Sequence, residues 1–480
     1  MKKQTVLTII LVWLAWAGIV IGFQAWAVAR INLQYPDRVL GWTTTYTKTA
    51  DYQSGWAFLT EPFMNNQVAW DSEYYLGIAV GGYNDPRGKH LTPQGVVPSV
   101  VGGNLSGIMG GYSTENMPLS YAFFPFYPWV TRLVAYPLKI LGMNPIATAT
   151  LAGVIVSALG ALAGMLALYD LTRETLGEEG GLRAAFYMII FPAGFFLVQI
   201  YTEGLFVGLA FWCLALLKRG RWVPAALLGA CATLTRAVGA ALFIPMFITW
   251  VRSGDWLDVD LEWRMMYYYF KTTVKALWVG FRKSIHAVGQ FVAKLFRLPV
   301  KPFPGPDWAW VQGELKILTS LIKMLIVFSP AITFLIWKLS YLGLAFSYVE
   351  SNYFGRGFLA LGQSYYVWAT AFHDMIYAHN PAGTAYYLIE LGAIILGVVA
   401  CVVTWKRYPE LAWFSLAVFI LSIGSGGAQG MIRYVMGAPV VFIALASWGR
   451  NPVFDRAWTI LSLLLMGMLA VLFSFNMWVA

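Results

Sequence analysis

Long uninterrupted apolar stretches dominate this chain and restrict it to folds that a lipid bilayer can accept. A helix needs about 20 apolar residues to cross a hydrocarbon core of about 30 Å. The stretches that meet this length are Thr5–Ala29, Ile146–Tyr169, Leu318–Leu344, Tyr386–Thr404 and Trp458–Val479. Charged residues make up only 12% of the sequence, too few to cover a water-soluble protein of this size. The chain is therefore predicted to be an all-α, multi-pass integral membrane protein.

Shorter apolar runs predict further crossings between these long stretches. They are Ala184–Ile200, Leu205–Leu217, Trp222–Thr235, Val238–Val251, Leu411–Ile423 and Tyr434–Ala446. Together the runs predict a bundle of about eleven spans, although any short run could instead be a re-entrant or broken helix. The first stretch is interpreted as a retained span, because its apolar core is too long for a signal peptide and no small-x-small cleavage site ends it.

The distribution of positive charge predicts the orientation. Lys2 and Lys3 precede the first span, which favours an inside N-terminus. Residues 30–145 then form a long first outer or lumenal loop, and 22 of the 33 Lys and Arg lie inside. The proline-rich segment Pro118–Trp129 is expected to lie in the outer interface, because a crossing there would invert every later loop. Residues 1–480 are predicted to form one membrane domain, in the plasma membrane of a prokaryote or the endoplasmic reticulum of a eukaryote.

The predicted cytoplasmic insert, residues 252–316, is strongly basic. Its part Trp263–Lys301 holds eight Lys and Arg and no Asp or Glu. Four of them repeat at helical spacing and share one face: Arg264, Lys271, Lys275 and Arg282. This pattern predicts a basic amphipathic helix on anionic lipids of the inner leaflet. Nucleic-acid binding is the less favoured alternative.

The sequence supports neither a metal site nor a cofactor. Cys213, Cys231 and Cys401 lie in predicted spans and are far apart in sequence, so a disulfide framework or zinc site is not indicated. No nucleotide-binding or hydrolase motif is present. His373, Asp374 and His379 of the second outer loop could ligate an ion, but their spacing fits no established metal pattern. A divalent ion is left open without support.

Ionisable residues in apolar surroundings near the outer face are the candidates for function, since such residues are costly in a membrane. Asp71 and Glu73 lie in the first outer loop. Asp71 could be a base or simply the N-cap of a helix over Ser72–Val80. Glu73 could be a second active-site acid or a first-turn residue that the helix dipole favours.

Three further candidates lie on the same predicted face. Glu203 falls in a tight outer turn between two apolar runs. Arg236 and Arg433 could extend to the interface or bind a phosphate bidentately. A phosphate on a lipid carrier would leave without strong protonation, so one general base can suffice. This fits one dominant carboxylate better than the paired acids of a glycosidase.

Several segments resemble a known family in order and spacing. They are Trp70–Tyr83, Ala122–Pro128, Phe191–Phe196, Tyr201–Phe206, Leu228–Ala230, Leu234–Gly239 and Arg433–Val435 followed by Pro439. These segments are similar to those of the PIG-V family, the GPI mannosyltransferase II family, including its bacterial relatives. That family belongs to the GT-C glycosyltransferases, which are polytopic helical enzymes. They use polyprenyl-phosphate sugars on the outer or lumenal face and invert the anomeric carbon.

The resemblance implies a mannosyltransferase in which Asp71 is the catalytic base, with Glu73 kept as a second candidate. Glu203, Arg236 and Arg433 match recurrent family positions. We expect the arginines to hold the lipid phosphate and Glu203 to orient an acceptor or an arginine. Trp70 and Tyr434 lie in the matched segments and complete the predicted substrate-binding set: Trp70, Glu203, Arg236, Arg433 and Tyr434.

The predicted partners are a polyprenyl-phosphate sugar and a glycan or lipid-linked acceptor. The resemblance does not extend to the second outer loop, Val349–Ala385, so His373 and His379 inherit no role. Glucose or arabinose could replace mannose. A transporter or flippase of a lipid-linked glycan is the alternative from another class, and a structural subunit of a transferase complex is a third. Polar residues gathered at one face favour the enzyme.

Overall fold

The computed structural model describes residues 3–47, 55–89, 117–253 and 308–479, and these are mostly helical. The α-helices are α1 Lys3–Arg30, α2 Ser72–Val80, α3 Phe126–Leu138, α4 Pro145–Ile189, α5 Glu203–Lys218, α6 Trp222–Thr235, α7 Phe243–Arg252, α8 Trp308–Leu339, α9 Tyr341–Tyr353, α10 Leu361–Tyr377, α11 Pro381–Thr404, α12 Pro409–Ile423, α13 Met431–Met436, α14 Pro439–Trp448 and α15 Pro452–Ser474, besides a single turn at Thr43–Tyr46. The predicted all-α membrane architecture is confirmed.

Among the residues that the structure describes, five helices are long and apolar enough to cross a membrane, namely α1, α4, α11, α15 and the Leu321–Leu339 part of α8. These correspond to the five long stretches in the sequence. Helix α3 has 13 residues and is about 20 Å long at 1.5 Å per residue. It is too short to cross a 30 Å core, and the interfacial position of Pro118–Trp129 stays a prediction.

Several short apolar runs are not single helices, which corrects the sequence-based boundaries. The run Ala184–Ile200 leaves the α-helix after Ile189 and continues as a 3-10 turn over Gly194–Val198, because Pro192 cannot donate the next helical hydrogen bond. Pro439 divides the run Tyr434–Ala446 between α13 and α14 in the same way.

Two other predicted runs also divide. Val238–Val251 becomes a 3-10 turn, Ala237–Leu242, followed by α7. Leu318–Leu344 divides at Ser340, which caps α9. Helix α4 consists of two helical segments that meet at Gly177, which has a φ of 78° that glycine adopts readily. The two runs that the sequence separated are therefore also divided in the structure.

Helices α4 and α5 pack closely through glycines. A Cβ on Gly160 would lie 2.4 Å from the carbonyl oxygen of Gly204, and one on Gly208 would lie 2.6 Å from that of Gly160. Such small-residue contacts let membrane helices approach backbone to backbone. Helix α14 also packs on α4 and is buried from Pro439 to Ala446. These helices form the centre of the bundle and support the loops that carry the candidate site.

Charged groups that the sequence places inside are gathered together. Asp170 pairs with Arg219 and, at 3.4 Å, with Arg173. Lys218 lies 2.6 Å from Glu174. The predicted inner loops therefore meet one another, and the ion pairs of the predicted outer residues form a separate group, described below.

The chain divides into two compact units, Met1–Pro245 with Ser329–Ala480, and Met246–Phe328. In the second unit the structure describes only the end of α7 and the first part of α8, whose Phe247 and Phe328 rings are 5.9 Å apart. The predicted amphipathic helix over 263–301 lies outside the described residues.

Candidate functional site

A cavity of about 1450 Å³ lies within the larger unit. All the predicted site residues line it: Trp70, Asp71, Glu73, Glu203, Arg236, Arg433 and Tyr434. Four further ionisable side chains line the same cavity and were missed from the sequence: Lys89, Lys338, Glu350 and Arg356. The fold thus collects loops separated by hundreds of residues around one space.

Asp71 is at the N-cap position of α2, but its side chain makes no capping hydrogen bond. Its Oδ2 instead accepts a hydrogen bond of 3.2 Å from Nη1 of Arg433. The carboxylate is 28% exposed and lines the cavity. The simple capping interpretation is therefore wrong, although the predicted helix Ser72–Val80 is correct. The carboxylate, paired with Arg433, is accessible from the cavity.

The backbone around Asp71 is held on both sides. Trp70 has a left-handed φ of 49°, which is uncommon for a bulky residue and needs support from its surroundings. Its backbone N–H donates to Asn476 Oδ1 at 3.2 Å, and its indole N–H donates to the Met477 carbonyl at 3.1 Å. The backbone N–H of Asp71 donates to the Tyr201 hydroxyl at 3.3 Å. These bonds fix where the carboxylate points.

Glu203 is the first residue of α5 and only 2% exposed. Nη1 of Arg236 donates to its Oε1, and Nη1 of Arg433 lies 3.8 Å from the same oxygen. Arg433 therefore lies between two carboxylates, Glu203 and Asp71. Its side chain is 9% exposed, which does not fit an arginine that extends to the interface. The two arginines and two acids form a paired group in which Glu203 and Arg433 are buried.

Three arginines converge on Tyr434. The Arg236 guanidinium lies 4.8 Å from the centre of its ring, and Nη1 of Arg356 donates to its hydroxyl at 3.0 Å. Arg433 precedes it in α13. Five cationic and four acidic side chains line the cavity. Desolvation raises the pKa of Glu350 to about 7, although Arg356 opposes the shift. With five cations against four acids, the cavity wall carries a small excess of positive charge, which suits an anionic ligand.

Glu73 is in the first turn of α2 and is buried. Its Oε1 lies 2.7 Å from Nζ of Lys89. Burial raises the pKa of Glu73, while Lys89 lowers it. Lys89 also lies 4.2 Å from the centre of the Trp56 ring. With its carboxylate committed to Lys89, Glu73 is placed to orient this lysine rather than to act beside Asp71.

The predicted second outer loop contributes Glu350 and Arg356 to the cavity wall. It does not contribute the two histidines that the sequence had singled out. His373 and His379 are exposed and are not part of the cavity wall. In the described part of the chain, no group of three His, Cys, Asp or Glu is close enough to hold a metal ion. In the sequence, Glu350 and Arg356 stand among aromatic and glycine residues in Tyr348–Gly357. This pattern could have indicated that they belong to the site.

Glu390 positions the helix that carries Arg433. It is fully buried in α11, and its two oxygens accept hydrogen bonds of 2.8 Å from the backbone N–H groups of Gly430 and Ile432. Gly430 has a φ of 78° immediately before α13. The carboxylate thereby satisfies N–H groups at the start of a short helix.

Replacing Glu390 with Gln should destabilise the protein by about 1–3 kcal/mol, because the amide nitrogen cannot accept one of the two bonds. Thermal unfolding in lipid measures the loss. Glu179→Gln, on the exposed surface of α4, is the control for a lost carboxylate. Equal unfolding temperatures of the two variants would contradict the positioning role.

Comparisons with known proteins complete the description of the site. No protein-family model matches the chain, and no curated protein matches it in sequence. Among solved structures it is similar to the oligosaccharyltransferase of Archaeoglobus fulgidus tethered to an acceptor peptide, with a TM-score of 0.38 and 14% identity over 99% of this chain and 55% of that one. The apo form gives 0.35 and 16%, over 88% and 52%.

The same archaeal enzyme, AglB, in complex with an inhibitory peptide and a dolichol-phosphate gives a TM-score of 0.35 and 16% identity, over 96% of this chain and 55% of that one. The chain spans about half the length of these oligosaccharyltransferase chains. The PIG-V family remains a prediction from the sequence motifs.

Proposed function

We propose that the protein is a GT-C-type membrane glycosyltransferase that transfers mannose from a polyprenyl phosphate to a glycan or lipid-linked acceptor on the outer or lumenal face. One observation carries the proposal. A single cavity brings the partly exposed carboxylate of Asp71 together with three arginines, Arg236, Arg356 and Arg433. Displacing a phosphate from a sugar needs a base that takes the acceptor proton and positive charge that stabilises the leaving phosphate.

In the proposed reaction, the acceptor hydroxyl oxygen attacks C1 of the sugar from the face opposite the phosphate. Asp71 takes the hydroxyl proton as the new C–O bond forms. The bond from C1 to the phosphate oxygen breaks, and the polyprenyl phosphate leaves with the electron pair. The configuration at C1 is inverted. Arg236, Arg356 and Arg433 supply the positive charge for the leaving phosphate.

The cavity wall also suits an isoprenoid chain. Beyond Arg236 it continues over aliphatic and aromatic side chains, among them Val238, Ala241, Phe243, Ile244, Phe334, Ile420 and Leu421. An apolar surface next to a cluster of guanidinium groups matches a lipid whose head is a phosphate. A soluble nucleotide sugar has no isoprenoid chain that could pack against such a wall.

The distribution of charge favours an enzyme over a flippase. The ion pairs of Asp71, Glu203, Arg236 and Arg433 share no residue with those of Asp170, Arg173 and Arg219. The residues of the second set do not line the cavity. A flippase needs a polar route through the depth of the bundle. A purely structural subunit would not need the base, so a variant at Asp71 separates that alternative as well.

The direct test is transfer from labelled donor. The purified protein in lipid is incubated with radiolabelled polyprenyl-phosphate mannose and a membrane extract, in parallel with glucose and arabinose donors. We expect label to move to an acceptor from the mannose donor. Transfer from another donor would replace the sugar, and movement of intact donor between leaflets without transfer would favour the flippase.

Arg433→Ala should mainly weaken donor binding. The lost charge-assisted hydrogen bonds are worth about 1.5–3 kcal/mol, or about a ten- to hundredfold change in affinity. Equilibrium binding of labelled polyprenyl phosphate to the protein in nanodiscs measures the change. Lys139→Ala, which removes an exposed cation from outside the cavity, is the matched control. An unchanged affinity for Arg433→Ala would remove its phosphate role.

A further inference from the structure

A group of aromatic rings forms one wall of the cavity beside Asp71. It contains Trp42, Tyr46, Trp70 and Trp478, and we call it the aromatic wall. Ring centres lie 4.8 Å apart for Trp42 and Trp478, 5.1 Å for Trp70 and Trp478, and 5.8 Å for Trp42 and Trp70. All three contacts are edge to face, which is a favourable arrangement.

The aromatic wall is held by polar bonds as well as by ring contacts. Trp70 is tied to Asn476 and Met477 through its backbone and indole N–H groups. The backbone N–H of Trp478 donates to Asp37 Oδ2 at 2.8 Å. Three remote parts of the chain are thereby locked together. A belt of aromatic residues at a membrane surface does not require such fixed mutual positions, whereas a ligand surface does.

Polar groups border the aromatic wall on two sides. Asp71 follows Trp70 directly in the chain. Nζ of Lys89 lies 5.9 Å from the centre of the Tyr46 ring and is paired with Glu73. The Tyr46 hydroxyl is 3.0 Å from that of Tyr353. The wall therefore combines ring surfaces with a rim of hydrogen-bonding groups, a common composition for small-molecule sites.

These properties match a sugar ring better than the phosphate or the isoprenoid chain of the donor. A pyranose ring offers a face of C–H groups for aromatic rings and a rim of hydroxyls for a carboxylate and an ammonium. A phosphate would bind more favourably at the arginines around Tyr434. An isoprenoid chain would bind at the apolar surface beyond Arg236. The acceptor hydroxyl must also reach Asp71, which borders the aromatic wall.

We propose that the aromatic wall is the acceptor subsite and that the acceptor is a carbohydrate, either a free glycan or the sugar head of a glycolipid. This inference rests on the proposed function, since it assigns the second substrate of the same site. It predicts that acceptor and donor have separate determinants. Aromatic substitutions should change acceptor binding, and arginine substitutions should change donor binding.

The experiment measures sugar and donor binding separately on the full-length protein in nanodiscs. Saturation-transfer NMR is recorded with methyl glycosides and short oligosaccharides of mannose, glucose and N-acetylglucosamine, and labelled polyprenyl phosphate is titrated in parallel. Trp42 is 38% exposed, so its substitution should leave the fold intact. Trp405, exposed to 37% and outside the cavity wall, is the matched control.

We expect Trp42→Ala to weaken glycan binding about tenfold, with Trp42→Phe intermediate, while Trp405→Ala and polyprenyl-phosphate affinity stay unchanged. Glycan binding that is equal in Trp42→Ala and wild type would overturn the subsite. Binding of none of the sugars by the wild type would overturn a carbohydrate acceptor and favour a hydroxyl on a peptide. Failure of the wild type to bind polyprenyl phosphate would instead contradict the proposed function. The separate titration with labelled polyprenyl phosphate measures this outcome.

Discussion

Asp71→Asn should reduce sugar transfer by about 10²–10⁴-fold, the range that a general base contributes. The amide keeps the shape of the side chain but cannot take the acceptor proton. The fold should survive, because Arg433 keeps Glu203 as a partner at 3.8 Å. Transfer of labelled sugar is measured beside the wild type, with thermal unfolding and polyprenyl-phosphate binding as measures of integrity.

Asp85→Asn is the matched control for this change. Asp85 is also a loop carboxylate paired with an arginine, Arg87 at 2.6 Å, but it is not part of the cavity wall. Arg87 lowers the pKa of Asp85, so this pair is ionised near neutral pH. Retained transfer in Asp71→Asn, or an equal loss in Asp85→Asn, would remove the assignment of Asp71 as the base.

Glu203→Ala should cause the largest loss of stability. It removes the acid that Arg236 contacts and that Arg433 approaches, and breaking a buried pair costs about 3–5 kcal/mol. Thermal unfolding of the protein in lipid should therefore begin at a clearly lower temperature. Glu61→Ala, which removes a carboxylate that accepts hydrogen bonds from the Asn144 amide at 2.9 Å and from the backbone N–H of Phe63 at 3.4 Å, provides the comparison.

A double-mutant cycle identifies the cause of that loss. Arg236→Ala alone leaves Glu203 buried with Arg433 at 3.8 Å. If the arginine charge is the reason for the instability, Glu203→Ala combined with Arg236→Ala should cost less than the sum of the single changes, since neighbours in one network couple. Additive losses would show that Glu203 stabilises the bundle through packing alone.

The sequence was sufficient for the parts of the fold that depend on local composition. The apolar run Trp222–Thr235 and the helix predicted after Asp71, Ser72–Val80, have the predicted bounds. Boundaries failed where one residue interrupts an apolar run without changing its hydropathy. Pro192 and Pro439 end helices that look continuous by composition, whereas the break at Gly177 falls between two runs that the sequence had already separated.

The candidate site was predictable in the same limited sense. Asp71, Glu203, Arg236 and Arg433 could be found because a charge in an apolar context needs a reason. Their pairing could not be found, because it depends on contacts between segments up to 362 residues apart. Arg356 lies in a loop where charges are ordinary, so only its contact with Tyr434 reveals it.

The shared position of Arg433 has a consequence for the timing of the proposed reaction. In the resting protein its positive charge is divided between Asp71 and Glu203. When Asp71 accepts the acceptor proton it becomes neutral, and its hold on Arg433 weakens at the moment when the phosphate gains charge. Asp71 and Arg433 would then be coupled: each proton that the Asp71 carboxylate takes up makes more of the Arg433 positive charge available to the leaving phosphate. The enzyme would reset only when Asp71 returns that proton to water and recovers its arginine.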